Sequence, residues 1–389
     1  MVFRTADAFV VTAPGLEQVL AAELTALGAG APTSIERGGV AIRVDRPTLY
    51  RIHLHARVAV RVWVRLGRFR AANLDQLGAA VRKLAWPDHV HPRQAVEVKI
   101  ASSNSRIQGR GGAQRKVEVA IRDANRVPRR DPGRPPTAPA EVLVRIDGDD
   151  VEVSIDASGE RLNRRGWRRD TTEAPLRETL AAAVLDLAEW SADEPLVDPM
   201  CGSGTFPIEA ATIARGIPPG SDRTFAFEAW PTHDRALWDA LRAEPIVAVG
   251  RPVIRGSDLD PGAIRAARDN ARRAHVELDL RVSAVDAVEL PPGPGLIVAN
   301  PPYGARLRGA SAVWESLGRW ARERAIGWRI ALVVPDPALL RLTGLELPRI
   351  ARFDNGGIPV ALHAGPGGAA RAAPPPRRGR SGTGHETRR

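Results

Sequence analysis

Residues 196–211 read "LVDPMCGSGTFPIEAA": an apolar pair, an acid, a glycine turn, then a run suited to a helix. This is the pattern of a buried strand feeding a helix through a tight loop. Gly202 and Gly204 can adopt left-handed backbone, and their missing Cβ lets loop amides approach a ligand. The helix start adds unpaired N–H groups and a partial positive charge. Two common nucleotide loops fail the test. Position 207 is Pro, which breaks the G-x-G-x-x-G spacing, and the next acidic strand end, Asp258, lies 54 residues beyond Gly204; a dinucleotide fold expects its acid after about 20. No Gly-Lys-Ser/Thr follows, so an ATPase-type phosphate loop is excluded as well. A loop entered through Asp198 suits a ligand with an ammonium and a carboxylate better than one with phosphates. Cys201 reads as a small loop residue.

Working downstream, "VIRGSD", "LRVSAVDA", "GLIVAN" and "RIALVVP" read as strands, separated by helical patterns such as "DPGAIRAARDNARRA" and "WESLGRWARERA". Strands alternating with helices of this length predict a mainly parallel sheet covered on both faces. "PLRETLAAAVLDLAEW" precedes it as a helix, with Pro175 in the first turn. Asp260 reads as an N-cap, with Pro261 at the first helical position. That leaves Asp258 to accept two ribose hydroxyls and Asp286 to accept an adenine amine. Any one strand-end aspartate is ordinary turn chemistry. Asp198, Asp258, Asp286 and Asn300 on successive strands instead form one row along the carboxyl edge, where open α/β sheets bind ligands.

Working upstream, residues 1–160 predict an α+β region. "AFVVTA", "GVAIRV", "AVRVWVRLGRF" and "AVEVKIAS" read as strands, and "EVLVRIDGDDVEVSIDAS" as a hairpin about Gly148. "GLEQVLAAELTALG" is a helix with Leu16, Leu20, Leu24 and Leu27 on one face and Gly28 as its stop. The eight histidines show no metal-ligand spacing, and His53 and His55 are read as strand residues. Residues 1–170 hold 29 basic and 19 acidic residues, whereas residues 171–370 hold 21 and 25. A positive front half points to a polyanion. "ERLNRRGWRRD" joins the halves, either as a charged linker or as a strip whose guanidiniums meet phosphates while Trp167 stacks. The single cysteine rules out an internal disulfide. No apolar run approaches a membrane span and the N-terminus does not read as a signal peptide, which predicts a cytoplasmic protein. The Pro/Gly/Arg-rich residues 365–389 are expected to be disordered.

"DPMCGSGT", "GSDLDP", "VDA" and "NPPYG", in that order, resemble motifs I to IV of class I S-adenosylmethionine-dependent methyltransferases acting on exocyclic amines. "APGLEQVLAAELTALG" and "RLNRRGWRRDTTEAPLRETLAAAVL" are similar to the bacterial THUMP-domain RNA methyltransferases of guanine N2. The resemblance spans about residues 8 to 362, and the THUMP segment is its weakest part. It implies a ferredoxin-like subdomain (1–68), a THUMP subdomain for RNA (69–160), a basic linker (161–174) and a Rossmann-like catalytic domain (175–364). Residues 215–250 would be an insertion. It implies S-adenosylmethionine held by Asp198, Pro199, Gly202, Ser203, Gly204, Thr205, Asp258, Leu259, Asp286, Ala287 and Asn300, with no metal. The expected RNA contacts are Arg106, Arg110, Arg161, Arg164, Arg165, Trp167, Arg168 and Arg169.

"NPPYG" (300–304) then has a chemical reading. A guanine or adenine amine is a poor nucleophile because its lone pair is delocalised into the ring. If Asn300 accepts one N–H and the carbonyl of Pro301 the other, the nitrogen can pyramidalise toward the methyl group. Pro301 and Pro302 fix the carbonyl direction without needing an N–H of their own. Tyr303 stacks on a base taken from its helix, and Gly304 leaves room for it. The same tetrapeptide serves adenine N6 and the glutamine amide of release factors, though the latter needs no basic front half. A non-catalytic RNA-binding protein is a rival of another class, opposed by the intact motifs. Ribosomal RNA is the expected substrate, with transfer RNA the alternative.

Overall fold

A computed structural model describes residues 5–107, 109–125, 136–169, 176–303 and 310–368. The first half builds one sheet from β1 (Ala6–Val11), β2 (Ser34–Glu36), β3 (Gly39–Val44), β4 (Arg61–Arg70), β5 (Val96–Ser103), β6 (Ala140–Asp147) and β7 (Asp150–Asp156). Its order is β2-β3-β1-β4-β7-β6-β5, antiparallel throughout except for the β5–β6 pair. The first four residues of β4 pair with β1, while Trp63 to Arg70 pair with β7. The expected subdomain boundary at residue 68 therefore falls inside a strand common to both parts. Packed on this sheet are α1 (Glu17–Ala26), α2 (Arg46–His55), α3 (Leu74–Arg82), α4 (Trp86–His89) and α5 (Arg110–Ala124). Leu16, Leu20 and Leu24 are buried, and Gly28 follows at φ +89°, as the leucine spacing predicts.

His53 and His55 are helical, not strand, residues. Asp45 accepts from the backbone N–H of Thr48, and Pro47 sits in the first turn, so α2 starts where the chain would otherwise have extended. His53 is buried between the Leu49 carbonyl and Ser158 Oγ, and burial lowers its pKa to about 3. It is a neutral core residue.

The second half follows α6 (Glu178–Leu187), which begins after the expected Pro175; that proline lies outside the described residues. The elements run β8 (Leu196–Asp198), α7 (Thr205–Ala214), α8 (Arg235–Arg242), β9 (Ile254–Asp258), α9 (Pro261–Arg273), β10 (Asp279–Val282), β11 (Leu296–Ala299), α10 (Ala310–Arg324), β12 (Arg329–Val334) and α11 (Pro337–Thr343). An antiparallel pair, β13 (Arg349–Asn355) and β14 (Ile358–Pro366), closes the sheet. The order is β10-β9-β8-β11-β12-β14-β13, with the first five strands parallel. The chain winds outward from β8 through β9 to β10, then returns to start again at β11. β8 and β11 thus flank the switch point where a crevice opens at the carboxyl ends of the strands. β14 runs two residues into the expected tail, and residues 369–389 lie outside the described residues.

The two halves are packed together. Residues 215–250, which lengthen the path from α7 to β9, dock on α2: Tyr50 stacks on Phe227 at 4.6 Å between ring centroids and bonds His233 Nδ1 at 2.9 Å. Gly220 N donates to the Leu54 carbonyl at 2.9 Å. On the other side, Asp354 N of β13 donates to the Pro14 carbonyl at 3.1 Å. Gly15 must be glycine there: its φ is +98°, and a Cβ would sit 1.9 Å from the Arg352 carbonyl oxygen.

Candidate active site

A cavity of about 940 Å³ opens at the switch point, reaching from the 198–205 loop to Asn300. Asp198 ends β8 with a carboxyl 2% exposed, bonded by the N–H of Met200 at 3.0 Å. Burial, reinforced by the charge of Asp258, pushes its pKa well above the ordinary carboxylate range. The loop turns through Gly202 and Gly204, at φ +53° and +88°. Gly204 serves a closer neighbour than any ligand: a Cβ there would lie 3.1 Å from that of Ala267 on α9. Its bare backbone lets α7 and α9 approach.

Asp258 ends β9 and braces this turn. Its Oδ2 accepts from Gly202 N at 2.9 Å and its Oδ1 from Asp260 N at 3.0 Å. Asp260 caps α9 through Gly262 N, as its Asp-Pro sequence predicts. The ribose role expected of Asp258 thus falls on a carboxylate already positioned, with further lone pairs to offer. Asp286 lies beyond the end of β10, in the one-turn helix Val285–Ala287, and reaches the cavity from there. Pro199, Ser203, Thr205 and Leu259 also line it, whereas Gly204, Ala287, Pro301 and Tyr303 do not.

At the end of β11, Asn300 and Pro302 line the cavity. Among the described residues, Asn300 Oδ1 is a buried acceptor with no hydrogen-bond partner. Orphans of this kind are uncommon in folded proteins and call for a reason. Trp314 Nε1 donates to the Pro302 carbonyl at 3.1 Å, and Asn355 Nδ2 to the Tyr303 hydroxyl at 2.8 Å. Both supports escaped the sequence reading because they come from distant elements. Gly304 lies outside the described residues.

The expected RNA strip divides. Arg106, Arg110, Arg161, Arg164 and Arg169 are exposed. Arg165, Trp167 and Arg168 are not free to meet RNA. Arg165 is 4% exposed, pairs with Glu209 at 3.4 Å and donates to the Arg57 carbonyl. Trp167 is 6% exposed and belongs to the main apolar core. Arg168 turns inward to Glu178 at 2.7 Å. Residue counts gave the charge of this strip correctly but not the side on which each cation finds its partner. Among the described residues, no three His, Cys, Asp or Glu come together as metal ligands, and no helix is long and apolar enough to cross a membrane.

A family model described as an RMKL-like methyltransferase domain matches residues 165–359, and one described as an RlmL ferredoxin-like domain matches residues 7–63. The chain belongs to the RMKL-like methyltransferases. Its sheet is the class I methyltransferase fold, and the front half contains the ferredoxin-like domain. The ribosomal RNA large subunit methyltransferase K/L of Syntrophotalea carbinolica is 36% identical over 379 residues, covering 91% of this chain and 53% of that one. A Synechocystis sp. protein described as an RNA methyltransferase is 32% identical, covering 91% of this chain and 95% of its own. The chain spans about half the length of the K/L relatives it matches. Among solved structures, the methyltransferase SMU.472, complexed with SAH, aligns with a TM-score of 0.81 at 29% identity, covering 93% and 98% of the two chains. A Listeria monocytogenes structure described as an N6-adenine-specific DNA methylase aligns at 0.83 and 29%, covering 93% and 97%.

Proposed function

We propose that this RMKL-like methyltransferase moves a methyl group from S-adenosylmethionine to the exocyclic N2 amine of a guanosine in 23S ribosomal RNA, in the cytoplasm. One observation carries the chemistry: Asn300 lines a cavity sized for such a molecule, and its buried Oδ1 has no hydrogen-bond partner among the described residues. The donor set fits S-adenosylmethionine. Asp198 supplies a buried carboxyl for an ammonium, Asp258 a braced carboxylate for hydroxyls, and Leu259 with Val285 an apolar wall. When bound, S-adenosylmethionine supplies a methyl group already activated by its sulfonium.

The protein's own task is alignment. Asn300 Oδ1 accepts one N–H of the target amine and the Pro301 carbonyl the other, which turns the nitrogen's lone pair out of conjugation. Trp314 holds the Pro302 carbonyl and so fixes the turn that aims both acceptors. Asn355 holds the hydroxyl of Tyr303, the residue assigned to stack on the base. RNA is favoured over other amines by the basic front half and by the K/L relatives, whose name is that of ribosomal RNA enzymes.

Asn300→Ala tests the reading. It should bind S-adenosylmethionine as the wild type does and lose about a hundredfold or more in transfer rate. Nucleoside mass spectrometry of treated ribosomal RNA should show N2-methylguanosine. Normal transfer by Asn300→Ala, or methyl found on adenine N6, would overturn it.

A further inference from the structure

Arg168 lies outside every motif that identifies the cofactor cavity, yet it holds one wall of it. Its side chain is 11% exposed. Nε donates to Glu178 Oε1 at 2.7 Å, and Nη2 donates to Thr205 Oγ1 at 2.7 Å and the Leu176 carbonyl at 3.1 Å. Nη1 lies 3.5 Å from Ser203 Oγ, and the guanidinium sits 5.2 Å from the centre of the Trp167 ring. Leu176, Ser203 and Thr205 all line the cavity. The next residue continues the tie: Arg169 N donates to Asn270 Oδ1 at 3.3 Å, and Asn270 Nδ2 to the Ser203 carbonyl at 3.1 Å.

We infer that Arg168 is a positioning residue for the cofactor, setting which way the hydroxyls of Ser203 and Thr205 present their hydrogens. The inference rests on the S-adenosylmethionine reading above. A hydroxyl has one hydrogen and two lone pairs, and a guanidinium can only donate. Thr205 Oγ1 accepts from Arg168 and turns its hydrogen toward the Leu176 carbonyl at 3.5 Å, so it is spent within the protein. Ser203 Oγ, accepting from Arg168, keeps its hydrogen for the side away from the guanidinium. An acceptor group entering at the start of α7 therefore meets an oriented O–H beside the free N–H groups of the helix. Glu178 balances the cation, which lets it stay in a largely dry wall. Thr205 thus acts on the cofactor through its backbone and not through its hydroxyl.

Calorimetric titration of S-adenosylmethionine into the full chain, with thermal melts and steady-state kinetics, tests this. Arg168→Ala should weaken the Kd about 10- to 100-fold, the range for a lost charge-assisted bond. KM for S-adenosylmethionine should rise while kcat at saturation changes less than about threefold, with Arg168→Lys recovering part of the loss. Ser203→Ala should weaken binding without lowering the melting temperature, and combined with Arg168→Ala it should add little, since both act on one hydroxyl. An unchanged Kd in Arg168→Ala, or fully additive losses in the double variant, overturns the inference. Absence of binding by the wild type would instead overturn the cofactor reading, and this inference with it.

Discussion

The carboxyl of Asp198 lies buried where a cation is expected, and the folded chain keeps its proton at pH values where the unfolded chain has lost it. The unfolded carboxyl titrates near pH 4, so stability of the ligand-free protein should fall as pH rises from there toward the raised folded value. Asp198→Asn removes that titration. It should raise the melting temperature more at pH 8 than at pH 4 and abolish S-adenosylmethionine binding; equal shifts at both pH values would contradict the assignment. A milder loss is expected from Trp314→Phe, which keeps the ring but frees the Pro302 carbonyl, and should slow transfer with little change in cofactor affinity. Asp198, Gly202, Asp258 and Asn300 were legible in the sequence because their chemistry and their places at strand ends are local properties. Trp314 and Asn355 were not, since they act on the 300–303 turn from α10 and from the end of β13. Arg165, Trp167 and Arg168 were misread because composition does not reveal which side of an irregular segment faces the core.

Helices and strands were legible where their signals are internal. The Asp260-Pro261 cap and the 3.6-residue leucine spacing of α1 are such signals. β13 and β14 were missed, although Asn355-Gly356-Gly357 between two short alternating runs is a hairpin signal. Their small residues, Ala351, Ala361 and Ala364, dilute the alternation. The role of residues 215–250 was also hidden, for nothing local says that Phe227 and His233 meet Tyr50 of α2. α7 ties the halves as well: Glu209 is 1% exposed and lies 3.5 Å from Arg57 of the front half and 3.4 Å from Arg165. Glu209→Leu should cost about 3–5 kcal/mol in denaturant unfolding, because it removes the carboxylate shared by the buried Arg165 and the partly buried Arg57. Adding Arg165→Met should return part of that loss.

Across the whole molecule, charge and contacts divide the work. The exposed Arg106, Arg110, Arg161, Arg164 and Arg169 lie on the front half and the join. Reversing Arg106 and Arg110 to Glu should weaken RNA binding and flatten its salt dependence by about one to two units of log–log slope, leaving the Kd for S-adenosylmethionine unchanged. A salt slope unaltered by both changes would remove these two from the RNA surface. Gly15→Ala should lower the melting temperature sharply, since a methyl group cannot fit against the Arg352 carbonyl.

The contact between Pro14 and β13 has a consequence for how the chain can be divided. β13 is the last strand of its sheet, and on its outer rim Asp354 spends an N–H on the front half. Amputating residues 1–160 would bare that rim as a template for any passing strand. The severed catalytic fragment should therefore stick to itself, showing larger particles by light scattering as its concentration rises, while the intact chain stays dispersed.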